Sequence, residues 1–419
     1  MKHYQICRGC RLHIHKTEKF KEVTLALNFM KDISKADRAG MFLLSFLLSD
    51  SCRAYQTKQE VQALFDNLYG ASFSVANDPR GSCDLLEMTV TCPDSAYLEE
   101  DILEKQFEIL SQFALEPRME NGLFDENLFR ECRLKAVESV NMLNDDPAYY
   151  ANERAAALYG GSYAMRCTPS ADELLEISNE KCSAVYRDLV SRGNTDLFVL
   201  GNVDEGACLS YMKKYFPLKD RDSFFNIMHL HCGRKAEVRE KKQISQSSLV
   251  MLYDTGHVYT DDDMPAFMLG NGIFGALPTS MLFQEIREKN SLCYAVGSEN
   301  MIFDGILRIS TSMEAASINE AVRLIEKQLE RMKNGDFSEQ DMETAREMYI
   351  ASWRSSMDHV PSLIWDDYRS VILGRDDPVS DMIRRFNETN RQQIIDAWST
   401  LALKTVYILE QEASDEEVQ

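Results

Sequence analysis

The chain has 419 residues, 44% apolar and 27% charged, and its 67 acidic against 46 basic residues leave a net charge of −21. That composition excludes a disordered chain, and the acidic field repels a nucleic-acid backbone, with no basic patch to offset it. With 19 Gly and 10 Pro, usage falls well below the roughly 12% of ordinary chains, which favours an ordered, helix-rich fold of two or three domains.

The N-terminal MKHYQICRGCRLHIHKT has no apolar core and no small-residue cleavage site, so it does not read as a signal peptide. Residues 11–29 (RLHIHKTEKFKEVTLALNF) predict two strands around a Lys/Glu turn, because apolar and polar residues alternate in VTLALNF. The longest apolar run, AGMFLLSFLL over 39–48, makes roughly 15 Å of helix, about half a bilayer. Thr57 caps a helix over 57–69 with Val61, Leu64, Phe65 and Leu68 as its stripe. Residues 71–76 and 85–92 are strand-like, 97–113 and 125–143 are long helices, 196–201 (DLFVLG) is a short buried strand, and 205–215 is a helix. The 11 Cys are odd in number and sparse, as in a cytoplasmic protein with reduced thiols.

The sequence repeats itself. EKQFE at 104–108 recurs as EKQLE at 326–330, Phe124-Asp125-Glu126 as Phe337-Ser338-Glu339, and Leu158-Tyr159-Gly160 as Ile372-Leu373-Gly374, at offsets of 222, 213 and 214. Three ordered matches at a near-constant offset imply two homologous halves. We place them at 1–216 and 237–419, joined by a polar, aperiodic linker over 217–236. Each half is expected to be an α+β layer pair, an antiparallel-rich sheet covered by long helices, and the two halves to form a clamshell.

Several motifs do not carry the chemistry they suggest. Gly270-Asn271-Gly272-Ile273-Phe274-Gly275 matches GxGxxG, but the residues before it read as helix and Pro278 follows closely, so a turn is expected rather than a dinucleotide site. Cys7, Cys10, His13 and His15 have zinc-ligand chemistry, yet no second CxxC accompanies them, and a surface strand with incidental thiols is the plainer reading. His229, His231 and Cys232 sit in the linker, where such residues occur freely. There is no phosphate loop, and Gly160-Gly161-Ser162-Tyr163-Ala164 lacks the last Gly of a hydrolase elbow.

Residues 280–298, SMLFQEIREKNSLCYAVGS, resemble a signature of the insulinase/pitrilysin zinc peptidases, S-[RM]-LF-x-x-[LI]-REK-x-x-L-x-Y-x-V-x-S. RLHIHKTEKFK is similar to that family's first hairpin, Tyr69-Gly70-Ala71 to the turn after its helix, Asp145-Asp146-Pro147 to the end of the helix bearing the third metal ligand, and Leu200 to Asp204 to the close of its first domain. Gln246-Ser247 resembles the start of the second domain's core strand. The family's chemistry needs two His four apart on one helical face, with a Glu between them to activate the metal-bound water. The corresponding helix here, AGMFLLSFLLS over 39–49, holds no His, Glu or Asp, and no His occurs between residues 16 and 228. Glu131 and Glu138 match the family's E-x6-E, with Glu138 at the remnant ligand position.

The resemblance therefore implies a catalytically inactive member with no metal and no cofactor of its own. It implies further that Arg287 and Tyr294, which match the family's substrate-binding Arg/Tyr pair, act in trans on a peptide held by an HxxEH-bearing zinc subunit. The nearest likeness is to a non-catalytic bacterial member associated with the 5-aminopentanol modification of translation elongation factor P. The expected partners are the HxxEH subunit and a peptide or translation-factor client, with no nucleic acid and no membrane. The alternative is a non-enzymatic clamshell scaffold that binds a peptide or protein. A purely structural role also stays open, with Arg287 paired to Glu285 or Glu288 and Tyr294 in the core.

Overall fold

The computed structural model describes residues 1–221, 226–228, 230–374, 376 and 378–412. The expected linker falls partly outside these residues, as do His229 and most of the acidic C-terminal segment. Two units divide the chain. One comprises Met1–Asn141, Thr168–Asn226 and Val360–Tyr368; the other comprises Met142–Cys167, Ile227–His359 and Arg369–Gln419. The division crosses the sequence halves, since residues 142–167 pack with the second sheet and 360–368 with the first.

The first unit holds a six-stranded sheet in the order Lys2–Cys7, Cys10–Lys16, Asn194–Gly201, Glu22–Asp32, Cys83–Pro93, Ser72–Asn77. The strands over 11–16 and 22–29 do not pair as a hairpin. Asn194–Gly201 lies between them, parallel to Cys10–Lys16 and antiparallel to Glu22–Asp32. Seven of its eight residues are buried, and a strand buried on both faces takes an interior place in a sheet. The true hairpin joins Lys2–Cys7 to Cys10–Lys16, turning at Gly9, whose φ of 75° favours glycine.

Three helices cover this sheet in ways the sequence explains. Arg38–Asp50 buries Met41, Leu43, Leu44, Leu47 and Leu48. Gly40 lets it approach closely, since a Cβ there would sit 2.9 Å from Val185 Cγ2. Lys58–Asn67 starts at Thr57 with a full capping box to Glu60. The helix expected from 97 begins only at Leu103, because Asp94 caps a separate single turn over Ser95–Tyr97. Phe107, Leu110 and Phe113 then enter the core.

The second unit holds a five-stranded sheet in the order Cys293–Met301, Ile306–Met313, Ser247–Asp254, Ala402–Gln411, Ala236–Lys242. This order repeats that of the first sheet read from Ser72–Asn77. In each sheet the step from the fourth strand to the fifth is parallel and the earlier steps are antiparallel. The two halves are thus one α+β topology used twice. Pro147–Tyr159 covers the second sheet, pressing Ala151, Ala155, Ala156 and Tyr159 into a cluster with Val250, Leu252, Tyr407 and Leu409. Small alanines bring the helix close, and the Tyr159 hydroxyl donates to Asp254 Oδ1 at 2.6 Å. Among the described residues no helix is long and apolar enough to cross a membrane.

One buried carboxylate gives a stability prediction. Asp84 accepts a hydrogen bond from Asn77 Nδ2 at 2.6 Å, and burial pushes its pKa up to about 6. A carboxyl whose folded pKa is raised favours the fold while protonated. That favour is present below the unfolded value and is lost as pH rises toward about 6. Asp84→Asn keeps the acceptor oxygen and removes the charge, so it should stabilise the protein by roughly 2–3 kcal/mol at pH 7. Urea unfolding at pH 7 and near pH 4 checks this: the gain should be present at the first and nearly absent at the second.

Candidate functional site

In the first unit the place to look is the Arg38–Asp50 helix. Its less buried face carries Phe42, Ser45 and Phe46, spaced i, i+3, i+4, the same spacing as the His, Glu and His of HxxEH. The two phenyl rings pack on each other with centroids 5.5 Å apart. The hydroxyls nearby are used within the helix: Ser45 donates to the Phe42 carbonyl at 2.7 Å and Ser49 to the Phe46 carbonyl at 3.1 Å. Cys132 from the Glu126–Asn144 helix lies 3.6 Å from the Phe46 carbonyl, with its thiol pushed up to about 12 by burial. It is therefore a protonated packing group rather than a metal-binding thiolate. Glu131 and Glu138 are both exposed on that same helix, and among the described residues neither belongs to a group placed to hold a metal ion. Lys135 reaches Asp50 at 2.8 Å, placing an ammonium beside the end of the apolar helix. Phenyl rings and internally bonded serines cannot hold zinc or activate water.

In the second unit the signature segment forms a helical stretch, Phe283–Lys289, followed by the edge strand Cys293–Met301. Ser291, at φ 51°, reverses the chain between them, and the Leu292 N–H donates to the Ile286 carbonyl at 3.0 Å. Arg287 lies 4.6 Å over the Phe283 ring and 3.9 Å from Glu288, while Glu285 is taken by Lys289 at 2.8 Å. A rim ion pair of that length is worth little, so the guanidinium is held but not consumed. Tyr294 is not a core residue: it is 81% exposed. The register shifts between Cys293 and Ala295, so Tyr294 sits on a β-bulge, a device that re-aims a side chain. Beside it a cleft of about 450 Å3 runs past Val296, Ser248, Ser312 and Asn152.

The other candidates resolve as follows. His13 is fully buried, not on a surface strand; its ring stacks on Phe198 at 4.4 Å and its Nε2 meets Asp196 Oδ1 at 2.8 Å. Cys10 is buried with its thiol pushed up to about 12 by desolvation, Cys7 and His15 are half-buried, and the four do not converge as a ligand set. GxGxxG lies within Met264–Asn271 and the following helical turn over Gly272–Ala276, so no strand precedes it. His257, Asp261 and Asp263 approach one another, but His257 bonds Asp263 at 3.0 Å and Thr400 at 3.1 Å, and Asp261 accepts from the Val258 N–H. The sequence alone does not reveal the register of Phe42, Ser45 and Phe46, nor the bulge at Tyr294.

The chain thus combines one α+β sheet topology used twice, a 38–50 helix without metal-binding side chains, and Arg287 and Tyr294 on a helix-to-bulge segment. Residues 176–349 match the family described as "Peptidase M16 inactive domain". "Probable inactive metalloprotease YmfF" of Bacillus subtilis (strain 168) is 28% identical over 408 residues, covering 96% of each chain. "Uncharacterized zinc protease YmxG" of the same organism is 20% identical over 65% of this chain and 68% of that one. Among solved structures, a conserved protein from Enterococcus faecalis V583 has a TM-score of 0.92 at 23% identity over 99% of both chains. A peptidase M16 inactive domain from Pseudomonas fluorescens has a TM-score of 0.81 at 15% identity, over 99% of this chain and 98% of that one. The chain is thus similar to the M16 peptidases, the insulinase/pitrilysin family, and its 38–50 helix carries no HxxEH.

Proposed function

We propose that this chain is the metal-free subunit of a two-chain M16 peptidase. A partner with HxxEH supplies the zinc and its activated water. This chain supplies Arg287 and Tyr294, whose guanidinium and phenol donate hydrogen bonds to the peptide carbonyl oxygen as charge develops on it. The observation that carries this reading is Tyr294: a phenol 81% exposed, aimed outward by a bulge at a sheet edge. Such a group has little to do for the stability of its own fold. The setting we infer is the bacterial cytoplasm, and the client a peptide or a translation-factor segment, with elongation factor P modification as the associated process.

The cleft beside Tyr294 also suits a second reading, in which the chain binds a peptide or protein as a non-enzymatic scaffold. Capturing the tagged chain from its own cells and identifying what comes with it separates the two. An HxxEH protein in about equal amount supports the two-chain peptidase; a client protein without HxxEH supports the scaffold.

A further inference from the structure

A cluster in the first unit, remote in sequence from the zinc helix, has ligand chemistry that the proposed peptidase role does not use. His3 on the outermost strand, His13 on the next, and Asp367 on the Val360–Leu373 helix bring one ligand atom each to within 4.8 Å of one another. His3 Nδ1 is 2.7 Å from His13 Nδ1, His3 Nε2 is 3.8 Å from Asp367 Oδ1, and His13 Nδ1 is 4.0 Å from Asp367 Oδ2.

The polarity of these contacts is the argument. His13 Nε2 lies 2.8 Å from Asp196 Oδ1, in a carboxylate that Arg11 clamps with Nε at 2.6 Å and Nη2 at 3.0 Å. A neutral His13 ring donating there turns its Nδ1 lone pair toward His3 and Asp367. Asp367 Oδ2 is buried and has no hydrogen-bond donor. The Met1 amine, 3.9 Å from Asp367 Oδ1, is beyond hydrogen-bond distance. A single proton shared between the His3 and His13 Nδ1 atoms at 2.7 Å satisfies that pair, which leaves Asp367 Oδ2 beside them as a buried acceptor with no donor, a costly state.

We propose that His3, His13 and Asp367 bind a late first-row divalent cation such as Zn2+, with solvent as the fourth ligand. Tetrahedral zinc places its ligands about 2.0–2.2 Å from the metal, hence roughly 3.3 Å from one another. The observed 2.7 and 4.0 Å separations bracket that spacing. His3, whose side chain is 48% exposed, can swing to equalise them. Asp196 then plays the part of the outer carboxylate that fixes the tautomer of a metal-binding histidine, with Arg11 holding the carboxylate in turn. Bound there, the cation ties the 360–368 helix segment to the first sheet.

The full chain, made without a histidine tag and stripped with a chelator, should retain about one zinc after dialysis against the metal. His3→Ala, at a half-exposed position, and Asp367→Asn, which keeps the side chain's shape, should each weaken binding by about a hundredfold. Circular dichroism confirms that each variant is folded. The Co2+ form should lack the sulfur-to-metal charge-transfer band of a thiolate site. No retained zinc, unchanged affinity in the two folded variants, or a thiolate band would each overturn the proposal.

Discussion

Replacing Arg287 by alanine should, under the proposed two-chain role, lower the peptidase activity of the reconstituted pair by about 10²-fold, the usual loss when one donor to a developing oxyanion is removed. Tyr294→Phe, which keeps the ring and deletes the donor, lowers it by a similar factor. Because these bonds strengthen only as charge develops, both losses fall on kcat rather than KM. The fold should survive either change: the Arg287 side chain is 43% exposed, with Phe283 and Glu288 among its neighbours, and Tyr294 is 81% exposed. Pairing between subunits should survive in both variants, as read by co-elution. An unchanged rate in either variant removes the trans role for that residue.

The second large effect is on stability. Leu44→Ala should cost about 2–5 kcal/mol, the range for emptying a fully buried leucine site. Total stabilities of such proteins are only about 5–15 kcal/mol. Leu44 is 0% exposed among Leu43, Leu47 and Leu48, on the helix whose opposite face carries Phe42 and Phe46. Ser49→Ala, at an exposed position of the same helix, should change stability by less than about 0.5 kcal/mol. Urea unfolding of the two variants compares them directly. This helix commits its side chains to packing. A loss for Leu44→Ala no larger than that for Ser49→Ala would show that the helix is not a core element.

Much of this was legible in the residues. The Thr57 cap marked the start of a helix, and the structure completes it as a capping box with Glu60. The repeated EKQ[FL]E and Phe-x-Glu segments announced a doubled fold, and each falls on a corresponding helix or helix start: Leu103–Leu115 against Ile318–Lys333, and Glu126–Asn144 against Glu339–Ser356. Alternation predicted two strands over 11–29 joined by a Lys/Glu turn, yet it could not say which strands pair. Pairing depends on burial of both faces, and the partner that separates these two lies more than 160 residues away in the chain. Likewise a periodic stripe shows that a helix has an apolar face but not which sheet receives it. Nothing in PAYYANERAAALY assigns that helix to the second sheet.

The site was legible in chemistry and hidden in geometry. The lack of His, Glu and Asp over 39–49 excluded the family's zinc set at any register. Only the burial pattern shows that Phe42, Ser45 and Phe46 occupy the HxxEH spacing on the outward face. Arg287 and Tyr294 were singled out through the signature resemblance, but the bulge that exposes Tyr294 is a one-residue register slip that no local pattern encodes. His13 misled for the opposite reason. A histidine in an alternating strand reads as half-exposed, and its burial depends on Asp196, remote in sequence, and on the clamp from Arg11.

The most direct test of the central claim is the peptidase rate of this chain, of an HxxEH subunit from the same cells, and of the two mixed at equal concentration. The account predicts negligible turnover by either chain alone and strong turnover by the mixture, saturating at one chain per partner. A partner that is fully active alone, with no change on addition of this chain, would contradict it.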